Sequence, residues 1–185
     1  MNAFWDYFWP CFAAGLLIGV IAGAIGFRRR RPVQKDKLAD APPPPPGSRR
    51  KRYVALGAGV AASLAATAIW SGPLGGADRF VSKVERTARE ALNYYEMTNV
   101  TARLDRGPLT RRLVLTGQVD DWQRGEMVRL FSQLPGVSRA QWSPSPMGLP
   151  LILEAEVVSL LGFLLGLLLA YLVELRRRYN AQWTW

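Results

Sequence analysis

Apolar residues fall along this chain in two rhythms. The first is continuous. Asp6 is the only charge in positions 1–27, which leaves Tyr7–Phe27 an uncharged run of 21 residues. Tyr53–Leu74 carries no charge, and after Glu154 and Glu156 the stretch Val157–Val173 is charge-free for 17 residues. A helix rises ~1.5 Å per residue and the hydrocarbon core of a bilayer is ~30 Å thick, so about 20 apolar residues span it. Each run predicts a transmembrane helix.

The second rhythm lies between them. Phe80, Val84, Ala88, Ala91, Leu92 and Tyr95 recur at helical spacing, with Arg and Glu on the other face and Gly75, Gly76 and Asp78 as lead and N-cap. Val100, Ala102 and Leu104 alternate with polar residues, which predicts a half-buried strand. Arg106-Gly107-Pro108 reads as a turn. Leu113, Leu115, Gly117 and Val119 form a second alternating run. Asp120 or Asp121 caps a second helix, with Trp122 at its start and Met127, Leu130, Phe131 and Leu134 as its apolar face. Pro135-Gly136 stops that helix, and Val137–Trp142 is a short third strand.

Charge gives the helices a direction. The net charge of +10 is concentrated in residues 28–52, which hold +8, whereas residues 78–147 hold +3. The clusters Arg28-Arg29-Arg30-Arg31, Arg49-Arg50-Lys51-Arg52 and Arg176-Arg177-Arg178 fall on one side if the chain threads out, in, out, in. Basic residues near membrane ends stay cytoplasmic. The N-terminus and residues 72–150 are then expected outside the cytoplasm and the C-terminus inside it, with Trp5, Trp9 and Trp70 at the outer surface. The basic run follows the first apolar segment instead of preceding it, so that segment reads as retained. Pro42–Pro46 predicts an extended strut between two basic ends that lie against anionic lipid.

Small residues recur every fourth position in the membrane segments. Gly15, Gly19 and Gly23 form one ladder, Gly162, Gly166 and Ala170 another, and Ala55, Gly59, Ser63 and Thr67 a third, beside Ala58, Ala62 and Ala66. Such ladders let helix backbones approach closely, as in a glycine zipper. Whether they join helices of one chain or of several copies stays open at this level. Glu154 and Glu156 read as a solvated interfacial pair rather than a proton or cation site, because no segment carries a mid-membrane charge.

The chain has no histidine and one cysteine, Cys11. Ser-His-Asp and Cys-His catalysis and a Cys/His metal site are therefore excluded within one chain. We expect no enzyme activity and no cofactor. Nucleic acid is a poor partner, because the basic patch flanks membrane segments. Arg103, Arg106, Arg111 and Arg112 cluster around the hairpin. Arg106, Arg111 and Arg112, with the loop residues Arg28–Arg31 and Arg49–Arg52, are candidates for contact with lipid head groups or a partner.

The strand Leu113-Val114-Leu115-Thr116-Gly117-Gln118-Val119, the helix after it and Leu134-Pro135-Gly136-Val137 resemble the BON domain of bacterial envelope proteins over about residues 78–143. Gly117, Trp122, Pro135, Gly136 and Val137 carry that resemblance, with Gly117 expected to leave room for the packed helix. It implies a periplasmic module that binds lipid surfaces or envelope components without catalysis. The single copy, held between membrane segments, differs from the commoner tandem pair and argues against free lipid shuttling.

The expected fold class is α+β: a membrane protein with three transmembrane helices and a small α-β-β-α-β, BON-like extracytoplasmic domain. The expected layout is helix 1 over 1–27, a basic Pro-rich cytoplasmic loop over 28–52, helix 2 and a linker over 53–74, the BON-like periplasmic domain over 75–143, a Pro linker and helix 3 over 144–175, and a cytoplasmic tail over 176–185. The expected function is presentation of a lipid- or protein-binding module in the bacterial inner membrane. The alternative is an accessory or assembly subunit of a larger membrane complex that docks through glycine-rich faces. Expected partners are membrane lipids and other membrane or envelope proteins, with further copies of the chain among the candidates.

Overall fold

The computed structural model describes residues 2–27, 47–144 and 148–181. The arginines at 28–31 and the prolines at 42–46 lie outside the described residues, as do the side chains of Arg49 and Arg178. Eight elements follow in order: α1 (Ala3–Phe27), α2 (Gly47–Ser71), α3 (Gly76–Tyr94), β1 (Val100–Arg106), β2 (Leu109–Gly117), α4 (Asp121–Phe131), β3 (Arg139–Gln141) and α5 (Leu151–Ala181). The protein is α+β, with a small three-stranded sheet and three helices long and apolar enough to cross a membrane: Ala3–Phe27, Arg50–Ser71 and Leu151–Arg177.

Two helices outrun their expected limits. α2 begins among the basic residues that the sequence assigns to a loop, and α5 continues through Arg176–Arg178 to Ala181. Arg and Lys are good helix formers, and no Pro or Gly interrupts either extension after Gly47, so helix hydrogen bonding continues past the apolar stretch. β2 starts at Leu109, four residues before the alternating pattern begins, and β3 covers only Arg139–Gln141.

The chain divides into two units. The first takes in Met1–Cys11 and Thr67–Val157, the second Phe12–Ala66 and Val158–Trp185.

In the first unit the sheet runs β1-β2-β3. β1 and β2 are antiparallel, with Leu104 opposite Leu113 and Val100 opposite Gly117. β2 and β3 are parallel, with Leu113 beside Ala140. The core is built from one face of each element: Phe80, Val81, Val84, Ala88 and Leu92 from α3, Val100 and Leu104 from β1, Leu113 and Leu115 from β2, Met127 and Phe131 from α4, and Ala140 from β3. Full burial of a Leu, Val or Phe contributes about 1.5–3 kcal/mol, so this cluster is the main source of the unit's cohesion. The α3 periodicity holds through Leu92. Tyr95 departs from it, because the helix ends at Tyr94 and the Tyr95 ring turns outward.

The cap of α3 differs in detail from expectation, and that of α4 agrees with it. Gly75 is the N-cap of α3, in a left-handed conformation with φ 67°, and Asp78 lies in the first turn. There its charge meets the positive end of the helix dipole. Asp120 caps α4, and its N–H donates to Gln123 Oε1 at 3.4 Å.

Gly117 does not make room for the packed helix. A Cβ there would meet the backbone of Asn99 and, at 2.9 Å, the Cα of Val100, at the start of the neighbouring strand. The glycine that faces a helix is Gly136. It has φ 97°, and a Cβ there would lie 3.0 Å from Val84 Cγ2 and 3.2 Å from Phe80 Cε2 on α3. Gly136→Ala should therefore cost about 1–3 kcal/mol, from the left-handed backbone and the crowded core together. Thermal unfolding of the full chain in detergent reads this; an unshifted midpoint would rule out the left-handed turn.

The second unit is helical. α1 and α5 meet at their glycines. A Cβ on Gly15 would strike the Ser159 carbonyl, one on Gly19 the Phe163 carbonyl, one on Gly162 the Phe12 carbonyl, and one on Gly166 the Leu16 carbonyl. Gly23 faces Ala170 at 2.6 Å and Gly59 of α2 faces Phe163 and Ala22. Ser159 Oγ donates to the Ser63 carbonyl at 3.4 Å, and Ser63 Oγ to the Val60 carbonyl at 2.9 Å. These bonds give both buried hydroxyls an acceptor.

Candidate functional site

The first unit carries the chemistry. Its α3 and β2 are tied to the opening turns of α1 and α5, and α1 to the last turn of α2, by polar contacts among these five elements. Asp6 on α1 pairs with Lys83 on α3. The Tyr7 hydroxyl bonds Ser71 Oγ at 2.8 Å, and the Trp70 indole N–H donates to the Tyr7 carbonyl at 3.2 Å. On β2, Arg111 Nε lies 2.8 Å from Glu154 Oε2 at the start of α5. The Nε–H is not aimed at that oxygen, so the contact is ionic rather than a directed hydrogen bond. The Arg111 guanidinium also lies over two α1 rings, 5.3 Å from the Phe4 centroid and 5.9 Å from that of Phe8. Cation–π attraction thus adds to the ion pair.

The candidate residues of the hairpin separate in this geometry. Arg111 is largely buried and committed to Glu154. Arg106 bonds Glu85 through both carboxylate oxygens, at 3.2 and 3.3 Å, and Glu85 also accepts from the Leu104 N–H at 3.1 Å. Arg103 is exposed and Arg112 half-buried. Glu154 and Glu156 do not behave as a pair, since Glu154 faces Arg111. On α2, Arg50 and Lys51 are exposed and Arg52 is half-buried.

The first unit also holds an aromatic groove of about 380 Å³. Tyr95, Met97, Trp122, Met127, Leu130 and Phe131 line it, with Gln123 and Glu126 at its polar edge. Trp122 is 80% exposed, so it contributes a rim rather than the α4 apolar face. Exposed aromatic rings beside an apolar groove are the composition of a contact surface. Pro135 is exposed and Val137 half-buried beyond the end of α4, and the Val137 N–H donates to the Leu134 carbonyl at 3.1 Å.

Cys11 is buried, with its thiol 3.6 Å from the Tyr7 carbonyl, and serves packing. Among the described residues, no group of three or more His, Cys, Asp or Glu side chains gathers to hold a metal.

Sequence reading missed Asp6, Tyr7, Trp70 and Ser71 as parts of one network, and missed Lys83 as the partner of Asp6. One signal was available: Asp6 is the single charge in the first 27 residues, and an isolated charge at the end of an apolar helix needs a partner or water. The groove had no such signal, because its rings are widely spaced along the chain. No family model, curated protein or solved structure matches the chain.

Proposed function

We propose that the chain is a non-catalytic protein of the bacterial inner membrane that holds a BON-like module beyond the outer leaflet. In this reading α1, α2 and α5 cross the bilayer, the N-terminus and residues 72–150 are periplasmic, and the C-terminus is cytoplasmic. The module binds lipid or envelope protein. The observation that carries the proposal is the polar network: Asp6 with Lys83, Tyr7 with Ser71, and Arg111 with Glu154. A shuttling domain would need slack at its roots. Here only Gly72–Gly75 separates α2 from α3, and the Gly72, Leu74 and Gly75 N–H groups are all bonded to nearby carbonyls. That geometry favours a stationary platform with the aromatic groove as its contact surface. The three basic clusters supply the orientation.

Paired reporter fusions at Pro108 test the topology. An exported phosphatase fused there should be active and a cytoplasm-dependent fluorescent protein dark; the reverse pattern would sink the scheme.

One observation favours the second reading, a subunit of a larger complex. Gly57, Ala58, Ala61, Ala62 and Ala65 of α2 are exposed, and a Cβ on Gly57 would meet nothing within 4 Å. Small residues on an open membrane-helix face suit close approach by another helix. Native-gel mass after mild extraction separates the readings: a large hetero-complex supports the subunit, a lone chain or homo-oligomer the platform.

A further inference from the structure

We infer that a cavity among α1, α2 and α3 binds the phosphodiester of a phospholipid head group. The inference rests on the proposed reading that the apolar helices cross a bilayer. The cavity measures about 260 Å³ and is lined chiefly by Asp6, Tyr7, Trp70, Arg79, Phe80 and Lys83, all in the first unit. A water molecule's share of liquid is about 30 Å³, so a phosphate group with its ester carbons fits.

Arg79 and Lys83 are four residues apart on α3 and so share one face. The Arg79 guanidinium carbon lies 5.9 Å from the Trp70 ring centroid. Stacked this way, a guanidinium is oriented by the indole while its N–H edge remains able to meet paired oxygens. Lys83 pairs with Asp6, yet an ammonium has three donors and Asp6 occupies one. Two cations against one carboxylate leave the cavity with one surplus positive charge, the complement of one phosphodiester.

Its position fits a lipid. Trp5 and Trp9, one turn apart on α1, are 56% and 59% exposed, and Trp70, in the last turn of α2, lines the cavity. Tryptophans at helix ends sit at head-group level. The walls select the source of the phosphate. Tyr7 and Phe80 are apolar surface that favours an amphiphile. Asp6 repels a multiply charged inorganic phosphate more than a singly charged diester.

The test is native mass spectrometry of the full chain in mild detergent, titrated with phosphatidylglycerol, with diacylglycerol as the phosphate-free control. Phosphatidylglycerol should be retained and diacylglycerol not. Arg79→Gln leaves the Asp6 and Lys83 pair in place and should weaken phosphatidylglycerol about tenfold, the effect of losing one charge-assisted contact. Arg129→Gln, on α4, should change nothing. Asp6→Asn should bind phosphatidylglycerol several-fold more tightly, an effect that mere loss of structure would not produce. Unchanged binding in Arg79→Gln, equal retention of diacylglycerol, or competition by inorganic phosphate at the concentration of the lipid would each overturn the assignment. If the reporters place residue 108 outside and Arg79→Gln binds normally, the site fails and the membrane reading stands.

Discussion

Gly19→Leu should collapse the helix packing of the second unit, with a thermal midpoint lower by roughly 10 °C in detergent. The Cβ of any side chain at position 19 would strike the Phe163 carbonyl and lie 2.9 Å from the Phe163 carbonyl carbon. Overpacking costs about 1–3 kcal/mol where neighbouring side chains can turn aside. Here the obstacle is backbone, which has no rotamer to change, so the two helices must separate. The cost should be about 3 kcal/mol or more, and each kcal/mol moves the midpoint of a chain this size by about 2–4 °C. Gly166→Leu should act alike, because its Cβ would meet the Leu16 carbonyl and lie 2.8 Å from the Val20 nitrogen. Gly57→Leu is the control, since position 57 is exposed with open space around it. Its midpoint should stay within a degree or two. Equal losses at positions 19 and 57 would show that glycine acts through helix flexibility and not through close approach.

Arg111→Ala should destabilise the first unit by about 2–4 kcal/mol, far more than loss of an exposed ion pair would. The side chains of Arg111 and Glu154 are only 20% and 23% exposed, so removing one leaves the other charged and largely cut off from water. Breaking a buried pair costs about 3–5 kcal/mol, and the residual exposure brings the figure down. Arg111→Lys should recover only part of the loss, because an ammonium cannot lay a planar face over Phe4 and Phe8. Glu154→Gln should cost less, about 1 kcal/mol, since the rings still hold the guanidinium. In the double variant the two costs should fall short of additivity by about 1–2 kcal/mol. Strict additivity in denaturant unfolding would mean that the pair is not coupled. The same result would weaken the platform reading, which depends on β2 being tied to α5.

The elements were legible to different degrees. α3 and the β1–β2 hairpin could be read from their periods, because each buries one face and leaves the other in water. Leu104 and Leu113 are buried opposite each other as alternation requires. Tyr95 was misassigned because periodicity does not say where a helix stops, and it continues the α3 pattern one residue past the end. Trp122 stands at the start of α4, as its position after the capping aspartates implies, but its 80% exposure beside a groove could not be read from spacing. Gly117 and Gly136 illustrate the limit for glycine. Sequence marks both as special, but which neighbour comes close depends on the packing of other elements.

Local composition determined the three apolar helices, the amphipathic α3, the hairpin and the concentration of positive charge in residues 28–52, because each depends only on residues near one another in the chain. Tertiary structure alone decided that the glycine ladders of α1 and α5 face each other, that Arg111 answers Glu154, and that Arg79, Lys83 and Asp6 share a cavity. The physical reason is separation. Asp6 and Lys83 lie 77 residues apart, and nothing in a local pattern ranks one distant partner above another until the core has fixed which surfaces meet.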